Sequence, residues 1–437
     1  MAAADHPSTT AVATLRRRLI PFLFLLYVVA YLDRVNVGFA ALDMNRDLGF
    51  SAAVYGLGSG IFFVSYTLLE VPSNLMLARV GARVWIARIM LTWGLVSVGM
   101  AFVHNATTFY LLRFLLGAAE AGFFPGIIYY LTQWFPARER ARAVALFMTG
   151  TAIAGVIGGP ISSALLLLDG TWGLHGWQWL FMIEGIPALL LAPVVLRRLD
   201  DRPETATWLS ETERAWLTTT LATESRPRPD AHHDLRAAFA SPRLWALAAI
   251  YFSIVLAIYG VSFWLPQILQ ALGTTSSATV ALVSAIPYVA AAVAMVIVGG
   301  HSDRTGERRW HVALSALAGA AGFALAALVP TSLVLSLAAL SLAALHKLRA
   351  EELAELIRPF IALKDTNHGN RPYAGVRAVK VVTVHIPVAG AMPAAQCVLA
   401  QHRADTGMGV LNVVHRILVA ARLRQIEIEV QRLIAFT

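Results

Sequence analysis

Residues 16–41 read RRRLIPFLFLLYVVAYLDRVNVGFAA. Three arginines lead into an apolar run too long for the core of a secretory leader and with no small-residue cleavage site at its end, so the segment is expected to stay in the membrane. A hydrocarbon layer about 30 Å thick needs about 20 apolar residues to cross as a helix. Inside this one stand Asp33 and Arg34. At about 15 residues into a helix they lie about 22 Å from its arginine-flanked end, and neither charge reaches water easily. An unpaired charge at that depth is costly, so intramembrane ionisable groups are functional candidates by default.

The rest of the chain has the same texture. Of 437 residues 57% are hydrophobic and 14% charged, with a mean hydropathy of +0.64, against about 25% charged in an average soluble domain. The formal charge of +9 sits in short clusters between apolar runs, which argues against a nucleic-acid partner. One cysteine, Cys397, allows neither an intramolecular disulfide nor a thiolate zinc site. Without a nucleotide loop, nucleophile elbow or metal cluster, neither an enzyme nor a cofactor is expected.

Spans are expected near 19–41, 54–77, 84–103, 107–131, 142–166, 177–197, 244–267, 277–300, 310–329 and, shorter, 331–345. Basic residues gather on one side: Arg16 to Arg18, Arg79 and Arg83, Arg138, Arg140 and Arg142, Arg197 and Arg198, then Arg304, Arg308 and Arg309. Arg46 is the main exception on the other side. Because such residues accumulate in cytoplasmic loops, the N-terminus is expected in the cytoplasm. Arg- and Ala-rich usage suggests a bacterial inner membrane. The domains expected are a cytoplasmic N-terminus (1–18), a six-helix bundle (19–197), a cytoplasmic linker (198–243), a partial second bundle (244–345) and an atypical tail (346–437).

A shift of 225 positions lays Arg79, Gly81, Arg83 and Trp85 on Arg304, Gly306, Arg308 and Trp310, and Arg18 and Leu19 on Arg243 and Leu244. Parallel six-helix repeats joined by a cytoplasmic linker are a plan of secondary transporters, which hold substrate between the halves. The stretch GGHSDRTGERR at 299–309 resembles the signature loop of the major facilitator superfamily, with a degenerate counterpart at Pro72 to Asn74 and Arg79 to Arg83. YLDRVNVG at 31–38, RFLLGAAEAGFFPG at 113–126 and GWQWLF at 176–181 narrow the resemblance to its anion:cation symporter branch, which includes tartrate, hydroxyphenylacetate and phthalate permeases. The resemblance holds to about residue 330. It implies an all-α integral membrane protein of two parallel six-helix repeats, the second incomplete.

The resemblance further implies proton coupling by Asp33 and Glu120 and substrate binding by Arg34 and Arg113; Asn36, Tyr66 and Tyr259, polar-tipped residues within spans, are expected to bind substrate as well, with anchoring at the membrane interfaces the alternative for the tyrosines. The residues support this on their own terms. Arg113 and Glu120, seven apart, fall on nearly one face of a helix, about 10 Å along it. Arginine can grip a carboxylate through two hydrogen bonds. Burial disfavours the charged form of an acid and a neighbouring arginine favours it, so capture of the arginine by a substrate would couple anion to proton. Buried ion pairs that only fix helix register are the plainer alternative.

Gly299, Asp303, Arg304, Gly306 and Arg308, with Arg79 and Arg83, are expected to form a cytoplasmic gate of helix caps and ion pairs made in one state and released in the other. Tyr251, Trp264 and Gln267 can line the cavity or anchor at interfaces. Glu70 and Glu184 are expected to pair with local basic groups, and the shift places Ile258 and Tyr259 opposite Asp33 and Arg34, leaving the second half without their charges.

After Leu345 the texture changes: all three lysines and the cysteine, but none of the eleven tryptophans, lie in the last 92 residues. A reading-frame change or fusion is expected there, with a divergent cytoplasmic tail as the alternative. The functional expectation is a monomeric, proton-coupled importer of a small organic anion, either a dicarboxylate such as tartrate or an aromatic acid. A non-transporting membrane protein, a disabled product or a sensor on a transporter scaffold, is the other class.

Overall fold

A computed structural model of the chain describes residues 7–224, 242–273, 276–307, 309–328, 333–344, 380–383 and 396–399. Its first half comprises α1 (Pro7–Asp47), α2 (Ala52–Val80), α3 (Ala82–Gly99), α4 (Ala106–Glu120), α5 (Phe123–Trp134), α6 (Ala137–Met148), α7 (Gly150–Leu166) and α8 (Gly176–Arg198). A connecting α9 (Glu211–Glu224) precedes α10 (Pro242–Ala271), α11 (Ser277–Val283), α12 (Ala285–Thr305), α13 (Arg309–Leu328) and α14 (Leu333–Ala344).

Among the described residues, seven stretches are long and apolar enough to cross a membrane: Ser8–Asp47, Ala52–Val80, Ala82–Phe102, Ala106–Trp134, Ala137–Leu166, Gly176–Arg198 and Ser277–Ser302. Val255–Ala271 and Ala313–Ala326 are shorter apolar helices in the second half. One crossing is interrupted within the span, between α4 and α5, where Ala121 (ψ 128°) and Gly122 (φ 87°) leave helical geometry. An interrupted helix frees backbone groups in the middle of the span, which is tolerated where protein rather than lipid surrounds them.

Helix ends follow the sequence locally. Ser51 caps α2 by accepting from the Val54 N–H at 3.2 Å, and Asn105 with Thr108 forms a reciprocal capping box at the start of α4. The two members of the repeat end their second crossings alike. Gly81 (φ 101°) follows α2 and Gly306 (φ 65°) follows α12, each in the positive-φ region that glycine enters without a Cβ penalty. Their N–H groups donate to Leu77 O at 3.0 Å and Ser302 O at 2.9 Å. Leu77 and Ser302 are also 225 residues apart.

Within the first half α3 lies along α8, α2 along α4, and α1 against α7 and α8. The second half meets the first where α1 packs on α10, and α7 on α11 and α12. Tyr55 donates to Phe263 O at 2.9 Å and Ser277 to Asp43 Oδ1 at 2.8 Å. Gly38 permits the approach of α1 to α10, since a Cβ there would lie 2.7 Å from Ser262 O.

The start of the connection between the halves is folded onto the first bundle. Trp208 stacks on Trp134 with ring centroids 5.4 Å apart and lies under the Arg18 guanidinium. Thr14 donates to Glu213 at 3.3 Å. Glu224 accepts from the Ala137 N–H at the start of α6 and pairs with Arg140 at 3.3 Å. Far along the chain, β1 (Lys380–Thr383) and β2 (Gln396–Leu399) pair antiparallel, with Val382 opposite Cys397. The rest of the tail expected to be atypical, including 413–437, lies outside the described residues.

Candidate functional site

Consecutive residues leave an α-helix about 100° apart, because 3.6 residues make a turn. Asp33 and Arg34 therefore point to different neighbours. Arg34, 2% exposed, turns to α4 and the second half. Its Nε donates to Glu120 Oε2 at 3.0 Å, its Nη2 donates to the same oxygen, and its Nη1 donates to the Tyr259 hydroxyl at 3.3 Å. Arg34 and Tyr259 are the pair that the 225-residue shift superposes. In a pseudo-symmetric bundle, equivalent residues touch where they approach the axis between the halves.

Glu120 is the last residue of α4, and Gly122 (φ 87°) separates it from α5. The carbonyl of Ala121 released by this break accepts from Ser73 Oγ at 2.6 Å, and Ser73 in turn accepts from Trp85 Nε1 at 3.0 Å. The AEAGFFPG sequence thus places a carboxylate at a break inside the protein.

Arg113 is fully buried and donates through Nε to Gly58 O at 3.2 Å and through Nη2 to Ser59 O at 3.3 Å, both on α2. Its Nη1 has no hydrogen-bond partner among the described residues, nor does its guanidinium have an acidic ion-pair partner there. Arg113 and Arg34 both lie over Phe62, at 4.8 Å and 5.7 Å from the ring centroid. Arg34 also lies 5.1 Å from the centre of Tyr66, whose buried hydroxyl has no partner among the described residues. Two cations, one carboxylate and two aromatic rings thus share this pocket.

Asp33 faces the interior of the first half. Its Oδ1 accepts from Ser97 Oγ on α3 and from Asn36 Nδ2 at 3.3 Å. Glu184 on α8 accepts from Ser162 on α7 at 3.2 Å, with the Asn36 side chain also in reach. The expected basic partner of Glu184 is absent among the described residues. The correction has a simple cause: the arginines of α8 are Arg197 and Arg198, more than three turns further along. Ser97 and Ser162 carried no signal in the sequence, since serines are ordinary in apolar helices.

The expected gate is only partly described. Gly299 is buried in α12, while Arg304, Gly306, Arg79 and Arg83 are exposed. The Asp303 side chain and Arg308 lie outside the described residues. Among the described residues the two loops make no ion pair with each other. Asp201 of the connection instead accepts from the Arg83 N–H at 2.9 Å, placing a carboxylate at the start of α3. Trp264 meets Tyr55 edge to face and Gln267 donates to Phe263 O at 3.3 Å; the Tyr251 side chain lies outside the described residues. A cleft of about 440 Å³ between Asn45, Arg46, Gln267 and Gln270 opens beyond the contact of α1 with α10. Its lining on α1, from Ala41 to Arg46, lies about 10 to 18 Å along the helix from Arg34, so it is not the charged pocket.

Repeated helical bundles, a discontinuous crossing and a charge-bearing pocket where the halves meet define a secondary transporter of the membrane. The chain belongs to the Major Facilitator Superfamily, whose sequence pattern matches residues 23–345. It is 56% identical over 310 residues to an Agrobacterium vitis protein named for tartrate transport, covering 71% of this chain and 69% of that protein. It is 47% identical over 340 residues, 78% of each chain, to the metabolite transport protein NicT of Pseudomonas putida. Among solved structures it resembles a bacterial homologue of the human lysosomal transporter Spinster in an inward-facing, occupied conformation. That match has a TM-score of 0.59 at 22% identity and covers 76% of this chain and 71% of the other. The family and these relatives are transporters and not enzymes.

Proposed function

We propose that this protein is a monomeric symporter of the bacterial inner membrane that imports a small organic anion together with protons, with its N-terminus in the cytoplasm. The observation that carries the proposal is the unequal state of two buried arginines. Arg34 is held by Glu120, whereas Arg113 keeps Nη1 without a partner among the described residues. An anion entering the pocket meets Arg113 first and competes with Glu120 for Arg34. Once Arg34 turns to the substrate, Glu120 is left buried without its cation and takes a proton, because a lone buried carboxylate is costly. Loading and protonation then belong to one step.

Two guanidinium groups over one ring suit an acid with two carboxylates, each gripped through paired hydrogen bonds. Tartrate is the first candidate, and the named activity of the A. vitis relative supports it. Tyr66, Tyr259 and Asn36 supply the remaining polar contacts. The loops bearing Arg79, Arg83 and Arg304 act as the cytoplasmic gate, opened and closed as the halves rock.

The test uses proteoliposomes and radiolabelled tartrate. Glu120→Gln is expected to retain exchange of preloaded tartrate while losing accumulation driven by an imposed proton gradient. Undiminished accumulation by that variant removes Glu120 from coupling.

A further inference from the structure

Beneath the pocket just described lies a second cluster whose hydrogen-bond donors fall short of its acceptors. Asp33, Asn36 and Glu184 are 0%, 1% and 6% exposed. Three of their oxygens, Asp33 Oδ2, Asn36 Oδ1 and Glu184 Oε2, have no partner among the described residues. The nearby donors point elsewhere: Ser97 Oγ and Asn36 Nδ2 to Asp33 Oδ1, and Ser162 Oγ to Glu184 Oε1. The Trp93 indole also faces Asp33, but a single N–H supplies one of three oxygens. Turning the Asn36 amide over exchanges one acceptor for a donor already in use and leaves the shortage in place.

Charge has the same imbalance. Neither Asp33 nor Glu184 forms an ion pair among the described residues. The elements packed around Glu184 are α1, α3 and α7. From α1 comes Asp33 with the neutral Asn36, from α3 come Ser97 and Trp93, and from α7 comes Ser162. Arg88 of α3 lies over Trp85, and Glu120 and Arg113 on α4 act on Asp33 through space without a bond to it. Two carboxylates that share a buried site without a bonded cation cannot both stay ionised at low cost. A proton on one of them turns an acceptor into a donor and supplies a second, unpartnered oxygen.

We infer that Asp33 and Glu184, bridged by Asn36, form a proton-holding carboxyl pair inside the first half, with Glu184 as a titrating member of the transport cycle. This rests on the symport reading only for its purpose; the bound proton stands or falls by itself. Its balance is simple: one proton enters from water onto a carboxylate oxygen and leaves to water, and no covalent bond other than O–H changes.

The test is difference infrared spectroscopy of the full-length purified protein, following the C=O stretch of protonated carboxyl groups through a pH titration in potassium and in sodium buffer. The wild type is expected to show a buried protonated-carboxyl band that Glu184→Gln and Asp33→Asn each remove and Ser162→Ala shifts, equally in both salts. A band untouched by Glu184→Gln while gel filtration shows a folded protein overturns the proposal. So does a band that disappears in sodium alone, because the site then holds a metal cation and not a proton. The band is read without tartrate, so undiminished accumulation by Glu120→Gln, which overturns the symport reading, leaves this test standing, and the two readings fail separately.

Discussion

Two pockets diverge from neighbouring residues of one helix, and they are built on opposite terms. Around Arg34 a cation is bonded to a carboxylate of its own half and, across the junction of the halves, to a tyrosine. Around Asp33 two carboxylates meet only neutral donors, all from the first half. The first pocket spans the junction, because one of its bonds, from Arg34 to Tyr259, crosses between the halves. The second is built within a single half, with its hydrogen bonds all drawn from α1, α3, α7 and α8.

The largest break in this contrast is expected from Arg34→Met. It strands Glu120 without a partner, and losing one member of a buried pair costs about 3–5 kcal/mol. Thermal unfolding of the purified protein reports the loss, and the Arg34→Met, Glu120→Gln double variant should recover most of it. Equal stability of wild type and the single variant would mean that the pair is energetically idle.

Next comes Gly38→Val, which drives a side chain into Ser262 O and disturbs the interface pocket alone. Overpacking of this kind costs about 2 kcal/mol. In a Cys397→Ser background, cross-linking of Asp43→Cys to Ser277→Cys should fall in the presence of Gly38→Val. The carboxyl band assigned to Asp33 and Glu184 should stay where it was, and a shift in it would erase the distinction between the two pockets.

Tyr259→Phe removes one bond to a charged group, a loss of about 1.5 kcal/mol. That corresponds to about a tenfold change in tartrate affinity by titration calorimetry. The smallest effect belongs to Ser162→Ala, where removal of one neutral donor from Glu184 should lower stability by about 1 kcal/mol. Tartrate affinity should stay unchanged, since the donor belongs to the pocket that does not touch the junction.

Much of this was legible before any tertiary contact. Arg34 and Tyr259 appeared as repeat equivalents, and the paired loops at Gly81 and Gly306 appeared with them, because a repeat preserves spacing even where side chains change. The expectation for Glu184 fails because hydropathy and spacing show only neighbours along the chain, whereas its partners come from α1 and α7. Ser97, Ser162 and Asp201 were missed for a different reason. A serine or a loop aspartate has no distinctive periodicity, and only the arrival of another helix gives it a role.

The sequence by itself determined that the chain crosses a membrane repeatedly and which few ionisable residues lie within its apolar stretches. Those are properties of length, hydropathy and local turn chemistry, written along one dimension. Only the tertiary structure decided which acid received an arginine. Helix periodicity fixes the angle between Asp33 and Arg34, but the packing of α3, α4, α8 and α10 around α1 sets what each of them meets.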